Sequence, residues 1–261
     1  MEGRHLGPGL AILLALAGGS ARASGAACWL DNGAVVVSAA FGNIAGDFIV
    51  DLSAPRSQLH VTAASSAGIE SDSAEGRLLV AGMSLPGVIL AITDLDARSA
   101  PFVTSINGVI GADVLAPFVV DIQPDPCRLT LYGKAPPRMA GAARLAVRRI
   151  DGVPAVTAGV SDGETSTRGW FALDTGFPGV EVAGARYTRP PPKASAAADL
   201  LDPPARLRAL SLAGALFEQT PGGVWDQGAP GLDGAIGEAI WARYHLRLDM
   251  RAGWLDLAPP K

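Results

Sequence analysis

The chain has 261 residues, with 21 Lys and Arg against 25 Asp and Glu, a formal net charge of −4 and 49% hydrophobic residues. A mildly acidic balance argues against nucleic acid as a partner, because phosphate binding needs a basic face. Two cysteines and three histidines, none of them clustered, are a poor metal site, so neither a metal nor any other cofactor is expected. The length allows one large core or two modest ones.

Residues 1–23 read as a segment apart from the fold. Arg4 and His5 make a weakly basic opening, Leu10 to Ala17 an apolar run, and Ala21-Arg22-Ala23 a small-x-small cleavage site. The run is too short to span a bilayer comfortably, so the reading is a signal peptide that is removed, giving an exported protein, periplasmic or secreted, with no stable membrane insertion. No Cys stands at the cut, which argues against a lipoprotein; an uncleaved, membrane-tethered N-terminus is the alternative.

Beyond that segment, the 32 Gly and 20 Pro punctuate Val/Leu/Ala runs of strand length, so the fold class is all-β, mostly strands with short helices. The only cysteines, Cys28 and Cys127, lie in the first half. In an exported chain they suggest a disulfide that closes a long loop and contributes ~4–5 kcal/mol in the loop-entropy account; the alternative is two buried free thiols.

In chain order, Ala34-Val35-Val36-Val37 and Phe48-Ile49-Val50 lead into Asp51-Leu52-Ser53, followed by a turn through Pro55 and a strand restart at Gln58-Leu59-His60-Val61. Arg77 to Val80 and Val88 to Ile92, flanking Gly82 to Gly87, have a hairpin pattern. Then come Asn107-Gly108-Val109-Ile110-Gly111 and a strand pair, Pro117 to Asp121 and Arg128 to Tyr132. The second half repeats this plan. Phe171-Ala172-Leu173 runs into Asp174-Thr175-Gly176, with a Pro again four residues past the Asp. A proline-rich surface loop is expected from Tyr187 to Pro204, followed by Asp233-Gly234-Ala235-Ile236-Gly237 and the closing strands His245 to Asp249 and Gly253 to Leu257. The chain is thus a tandem duplication, with lobes expected at 24–142 and 143–261 and a boundary near Ala140-Gly141-Ala142.

An apolar strand that ends in a carboxylate places charge at the edge of a core, which costs free energy unless the group is paired or has work to do. Asp51 and Asp174 are the only aspartates in equivalent positions of this motif. Two carboxyls facing one another cannot both ionise cheaply, so one stays protonated, and such a pair activates a shared water without a nucleophilic side chain or a metal. A Ser/His/Asp triad would have to use His60 or His245, and neither stands near a Gly-x-Ser-x-Gly elbow. Asp94, Asp96, Asp121 and Asp249 read as turn or strand-end carboxylates, Arg148-Arg149 as a solvated pair. Trp29, Trp170, Trp225, Trp241 and Trp254 are scattered, and core or cleft-rim packing explains them as well as ligand stacking.

The double pattern, Asp-Thr/Ser-Gly and later two apolar residues before Gly, resembles the pepsin-like and retropepsin-like aspartic proteases over nearly the whole chain after residue 23. The resemblance implies two closed, barrel-like lobes around a central cleft, a monomer, a polypeptide substrate or ligand in that cleft, and catalysis by Asp51 and Asp174 with Ser53, Thr175 and Gly176 as the supporting loop residues. It implies further that the hydroxyl residue after each Asp hydrogen-bonds to the opposite lobe's backbone. Leu52 and Ser53 depart from this pattern: Leu52 cannot make that bond, and Ser53 adds a Cβ where the family has Gly. The hairpin at 77–92 corresponds loosely to the flap that covers the substrate, though it lacks the flap tyrosine. Two functions follow: an exported aspartic endopeptidase, or a catalytically degenerate peptide-binding or scaffold protein that keeps the fold.

Overall fold

The computed structural model describes residues 24–183, 205–225 and 229–260. The expected signal peptide, 1–23, and the proline-rich loop, 187–204, lie outside the described residues.

The first strand, β1 (Ser24–Asp31), turns through Asn32-Gly33 into β2 (Ala34–Phe41), which pairs with β3 (Ile44–Val50). Next come β4 (Gln58–His60), the one-turn helix α1 (Val61–Ser66), and the long hairpin of β5 (Ser73–Val80) and β6 (Met83–Thr93). A second short helix, α2 (Asp96–Ser99), precedes β7 (Ile106–Ile110). The order β2-β3-β7-β4-β6-β5 closes on itself where Ala40 and Phe41 pair with Leu79 and Leu78, making a six-stranded barrel.

The β2 sequence AVVVSAAF is buried on both faces, which is why it reads as a continuous apolar run rather than an alternation. Val35, Val37 and Phe41 fill the barrel with Phe48, Val50, Leu59 and Leu78; Ala34 and Val36 pack outside it with Ile49 and Val109. Deleting one of these fully buried side chains, as in Phe48→Ala, would cost ~3–5 kcal/mol.

After β7, the helix α3 (Ala112–Leu115) leads to β8 (Val119–Pro124) and β9 (Cys127–Tyr132), and the chain crosses to the second lobe through β10 (Ala143–Ala146) and β11 (Arg148–Ile150). The plan then repeats. Strands β12 (Val153–Ser161), β13 (Ser166–Leu173), β14 (Val180–Ala183), β15 (Ala205–Leu212), β16 (Ala215–Trp225) and β17 (Gly234–Ile236) form the second barrel, closed by β12 against β15. Helix α4 (Glu238–Trp241), β18 (His245–Asp249) and β19 (Trp254–Ala258) finish the chain.

Six strands belong to neither barrel alone. They form an antiparallel sheet, β10-β19-β18-β8-β9-β1, in which β8 of the first half lies directly against β18 of the second. Asp121 on β8 pairs in register with Arg247 and takes Arg247 Nε at 2.6 Å and His245 Nε2 at 2.7 Å. At the edge, Arg144 holds the buried Asp256 by two hydrogen bonds of 2.6 Å and stacks over Trp254. Asp121 is therefore a buried, doubly paired strand residue and not a turn carboxylate. A lone side-chain type cannot signal partners that stand more than 120 residues away. Asp249 does cap a turn, accepting from the amides of Arg251 and Ala252.

Cys28 and Cys127 form a disulfide that ties β1 to β9 and closes a loop of 99 residues. The hairpin differs from expectation. Its turn is the two-residue Ala81-Gly82, both at positive φ as the twist of the flanking strands demands, while residues 83–87, expected as loop, lie inside β6. The turn packs beside Ser24 at the start of β1, and the groove around it is lined by Ala26, Ser38 and Met83, away from both motif aspartates. It is therefore not a cover over the aspartates. The second lobe has the same turn at Ala213-Gly214.

Candidate active site

Each motif aspartate sits where a barrel strand ends, and each is seated on its lobe's second motif. Asp51 N donates to Ile110 O at 3.0 Å, and Asp174 N donates to Ile236 O at 2.9 Å. The residue after Gly in the second motif reciprocates: Ala112 N donates to Ala54 O, and Glu238 N to Phe177 O. The spacing between the two motifs thus reflects strands β3 and β7, or β13 and β17, running in parallel with the aspartate loop folded over them.

The lobes meet at these loops. Thr175 Oγ1 donates to Val50 O at 2.7 Å and accepts from Leu52 N at 3.1 Å, so one hydroxyl satisfies two buried backbone groups of the opposite lobe. Leu52 offers no hydroxyl in return; its side chain is buried in the core. Another bond helps hold the Thr175 loop, from Val35 N to Thr175 O at 2.8 Å. Ser53 fills the role expected of glycine in another way: its amide and its hydroxyl both donate to Asp51 Oδ1, at 2.7 and 2.8 Å. Gly176 N makes the corresponding bond to Asp174 Oδ1 at 2.9 Å. At Gly176 a side chain has no room, since a Cβ there would meet the Arg98 guanidinium and lie 3.0 Å from Asp51 Cγ.

Asp51 and Asp174 line one cavity of about 740 Å³ between the lobes, together with Ser53, Gly176, Arg98 and Glu181. Phe102, Phe177 and Trp225 give it apolar walls. Among the five tryptophans, Trp225 is thus at the cleft, whereas Trp241 is buried and donates to Ile236 O, and Trp170 carries Arg148 over its ring. His60 and His245 stand apart from any serine nucleophile: His60 caps α1 and faces Asp96, and His245 pairs with Asp121.

Arg98 is the site residue that motif reading does not find. It projects from α2, and its Nη2 forms an ion pair with Asp51 Oδ2. The only sequence sign is a longer connection in the first lobe, Asp94 to Ser105 between β6 and β7, against residues 226–233 between β16 and β17.

The electrostatics of the pair are unequal. Burial pushes Asp174 up from 3.8 to about 8, helped by the negative charge of Asp51 and, to a smaller extent, of Glu181, and opposed by Arg98 and the Gly176 amide. Near neutral pH, Asp174 therefore favours its protonated form, in which the carboxyl is a hydrogen-bond donor.

No protein-family model matches this chain, and no curated protein matches its sequence. Its fold is similar to that of the solved aspartic proteinase from Irpex lacteus, with a TM-score of 0.53 over 92% of this chain and 98% of that one, at 14% identity. At that identity the likeness establishes the architecture, a two-lobed pepsin-like β fold. Among the described residues, no helix is long and apolar enough to cross a membrane.

Proposed function

We propose that the protein is an exported aspartic endopeptidase that binds an extended polypeptide in the inter-lobe cavity and hydrolyses it with Asp51, Asp174 and a water shared between them. One observation carries this reading: the two motif aspartates, each seated on its own lobe's second motif, converge on one cavity between the lobes, where burial favours the protonated form of Asp174. The ionised carboxyl takes a proton from the attacking water, and the protonated one hydrogen-bonds the carbonyl oxygen. Ser53, Thr175 and Gly176 hold the two carboxyls in place. The Cys28–Cys127 bridge is compatible with an oxidising compartment, and with it an exported product.

The test is hydrolysis of an unfolded protein or a peptide library from acid to neutral pH by the wild type, Asp51→Ala and Asp174→Ala. Cleavage that vanishes in both variants supports the proposal. Peptide binding in the cleft without cleavage at any pH, unchanged by either substitution, would establish the degenerate, non-catalytic protein instead.

A further inference from the structure

Resting on the endopeptidase reading, we propose that Arg98 is a positioning residue that decides where the shared proton lies: it holds the negative charge on Asp51 as the base and leaves Asp174 as the carboxyl that donates.

The hydrogen bonds around the two groups are lopsided. Asp51 accepts from Ser53 N and Ser53 Oγ on one oxygen and from the Arg98 guanidinium on the other. Among the described residues, Asp174 accepts from Gly176 N alone. Donors stabilise a carboxylate and not a carboxylic acid, and a fixed guanidinium is the strongest of them. The side chain of Asp51 is only 4% exposed, so an ionised carboxylate there needs a partner, and among the described residues Arg98 is the cation that reaches it.

Arg98 is itself held in place. At the start of α2, Asp96 faces His60 Nε2 at 3.1 Å and its amide donates to Asp94 Oδ1 at 2.8 Å. Within the helix, Ser99 Oγ donates to Leu95 O at 2.7 Å. Past the helix, Asn32 Nδ2 donates to Pro101 O at 2.5 Å, tying the segment to the β1–β2 turn. Among the described residues, the charged groups that face this pair are Arg98 and Asp94 from the α2 segment and Glu181 from β14; Asp96 turns the other way, to His60.

The direction of the effect follows from charge. The positive charge of Arg98 favours the ionised form of Asp174, so removing it raises the pH at which Asp174 loses its proton. The wild type and Arg98→Met are compared by the pH dependence of kcat/KM on an unfolded protein substrate. They are also compared by the titration of 13C-labelled aspartate carboxyls in NMR, a readout that needs no turnover; Asp174→Asn identifies the resonance that titrates near pH 8. The alkaline limb of the rate profile and the Asp174 resonance are expected to move upward by ~1 unit or more in Arg98→Met, and Arg98→Lys, which keeps the charge, is expected to recover most of the shift. Should Arg98→Met not fold, Arg98→Gln supplies the same comparison.

An Asp174 resonance that titrates at the same pH with and without Arg98 overturns the inference. So does a variant that is faster at every pH with unmoved limbs, since Arg98 would then be a group that merely obstructs the cleft. A resonance that moves upward in a protein that cleaves nothing keeps the electrostatic hold of Arg98 on the pair and removes the endopeptidase reading.

Discussion

The two aspartate loops were copied from one plan and now differ in what holds them. The second keeps Asp174-Thr175-Gly176: its hydroxyl crosses to the other lobe, and its carboxyl has one amide donor among the described residues. The first has Asp51-Leu52-Ser53: it gives no hydroxyl to the other lobe, and its carboxylate collects two donors from Ser53 and a third from Arg98. One loop carries the inter-lobe hydroxyl bonds and the other carries the ion pair with Arg98. The departure at Leu52-Ser53, which by motif alone is a weakness, is matched by local replacements for what was lost.

The largest test of that comparison removes a carboxyl. Asp174→Ala is expected to lower cleavage of an unfolded protein by ~10²–10⁴-fold. In the wild type, cleavage should fall as pH rises through about 8, where Asp174 gives up its proton; an unchanged rate at pH 9 would contradict this.

Next in size is the covalent tie of the first lobe. Replacing Cys28 and Cys127 by serine should cost ~2–5 kcal/mol in denaturant unfolding, and the second lobe has no counterpart to lose.

Thr175→Val keeps the volume but strands Leu52 N and Val50 O without their partner, at ~1–3 kcal/mol for each buried group. Leu52→Thr, by comparison, exchanges a core side chain for a hydroxyl. If Leu52→Thr together with Ser53→Gly raises turnover, the first loop is mispositioned as it stands; the Ser53 bonds to Asp51 predict no gain.

A subtler effect is in the pH dependence of stability. Asp174 has a folded-state pKa raised above its ordinary 3.8, so the folded protein holds a proton that the unfolded chain releases, and its contribution to stability is lost progressively as pH rises from about 4 to about 8. Asp174→Asn should therefore show a stability gain over the wild type that grows through that window and levels off above it, read by thermal unfolding at stepped pH. The smallest change is Ser53→Ala, which removes one of Asp51's three donors and should cost ~1 kcal/mol.

Much of the site was legible because duplication doubles each signal. Asp51 and Asp174 stand at strand ends, and Gly111 and Gly237 close the strands on which those loops rest, so local patterns mark both halves in the same order. The disulfide followed from the count of two cysteines. Arg98 was not legible, since an arginine in a short polar helix has the same local sequence whether it meets solvent or a carboxylate; only the fold brings α2 over the dyad. The hairpin was misplaced because glycine marks the bend within β6 at Gly87 as readily as the turn at Gly82, and both have positive φ. Asp121 was misread for a related reason, its partners lying in the other half of the chain.

The contact between β8 and β18 says something about how the halves recognise one another. Asp121 and Arg247 stand at the same distance past Gly111 and Gly237, so they are counterparts in the duplication, and they are also cross-strand partners. A true homodimer of either half, joined along the same seam, would set Asp121 against Asp121 or Arg247 against Arg247, because an isologous contact places like residues on its axis. Duplication released the seam from that constraint and allowed opposite charges at one position. If the halves were made as two separate polypeptides, they would select each other over themselves, and the fused chain has become a heterodimer written on a single strand.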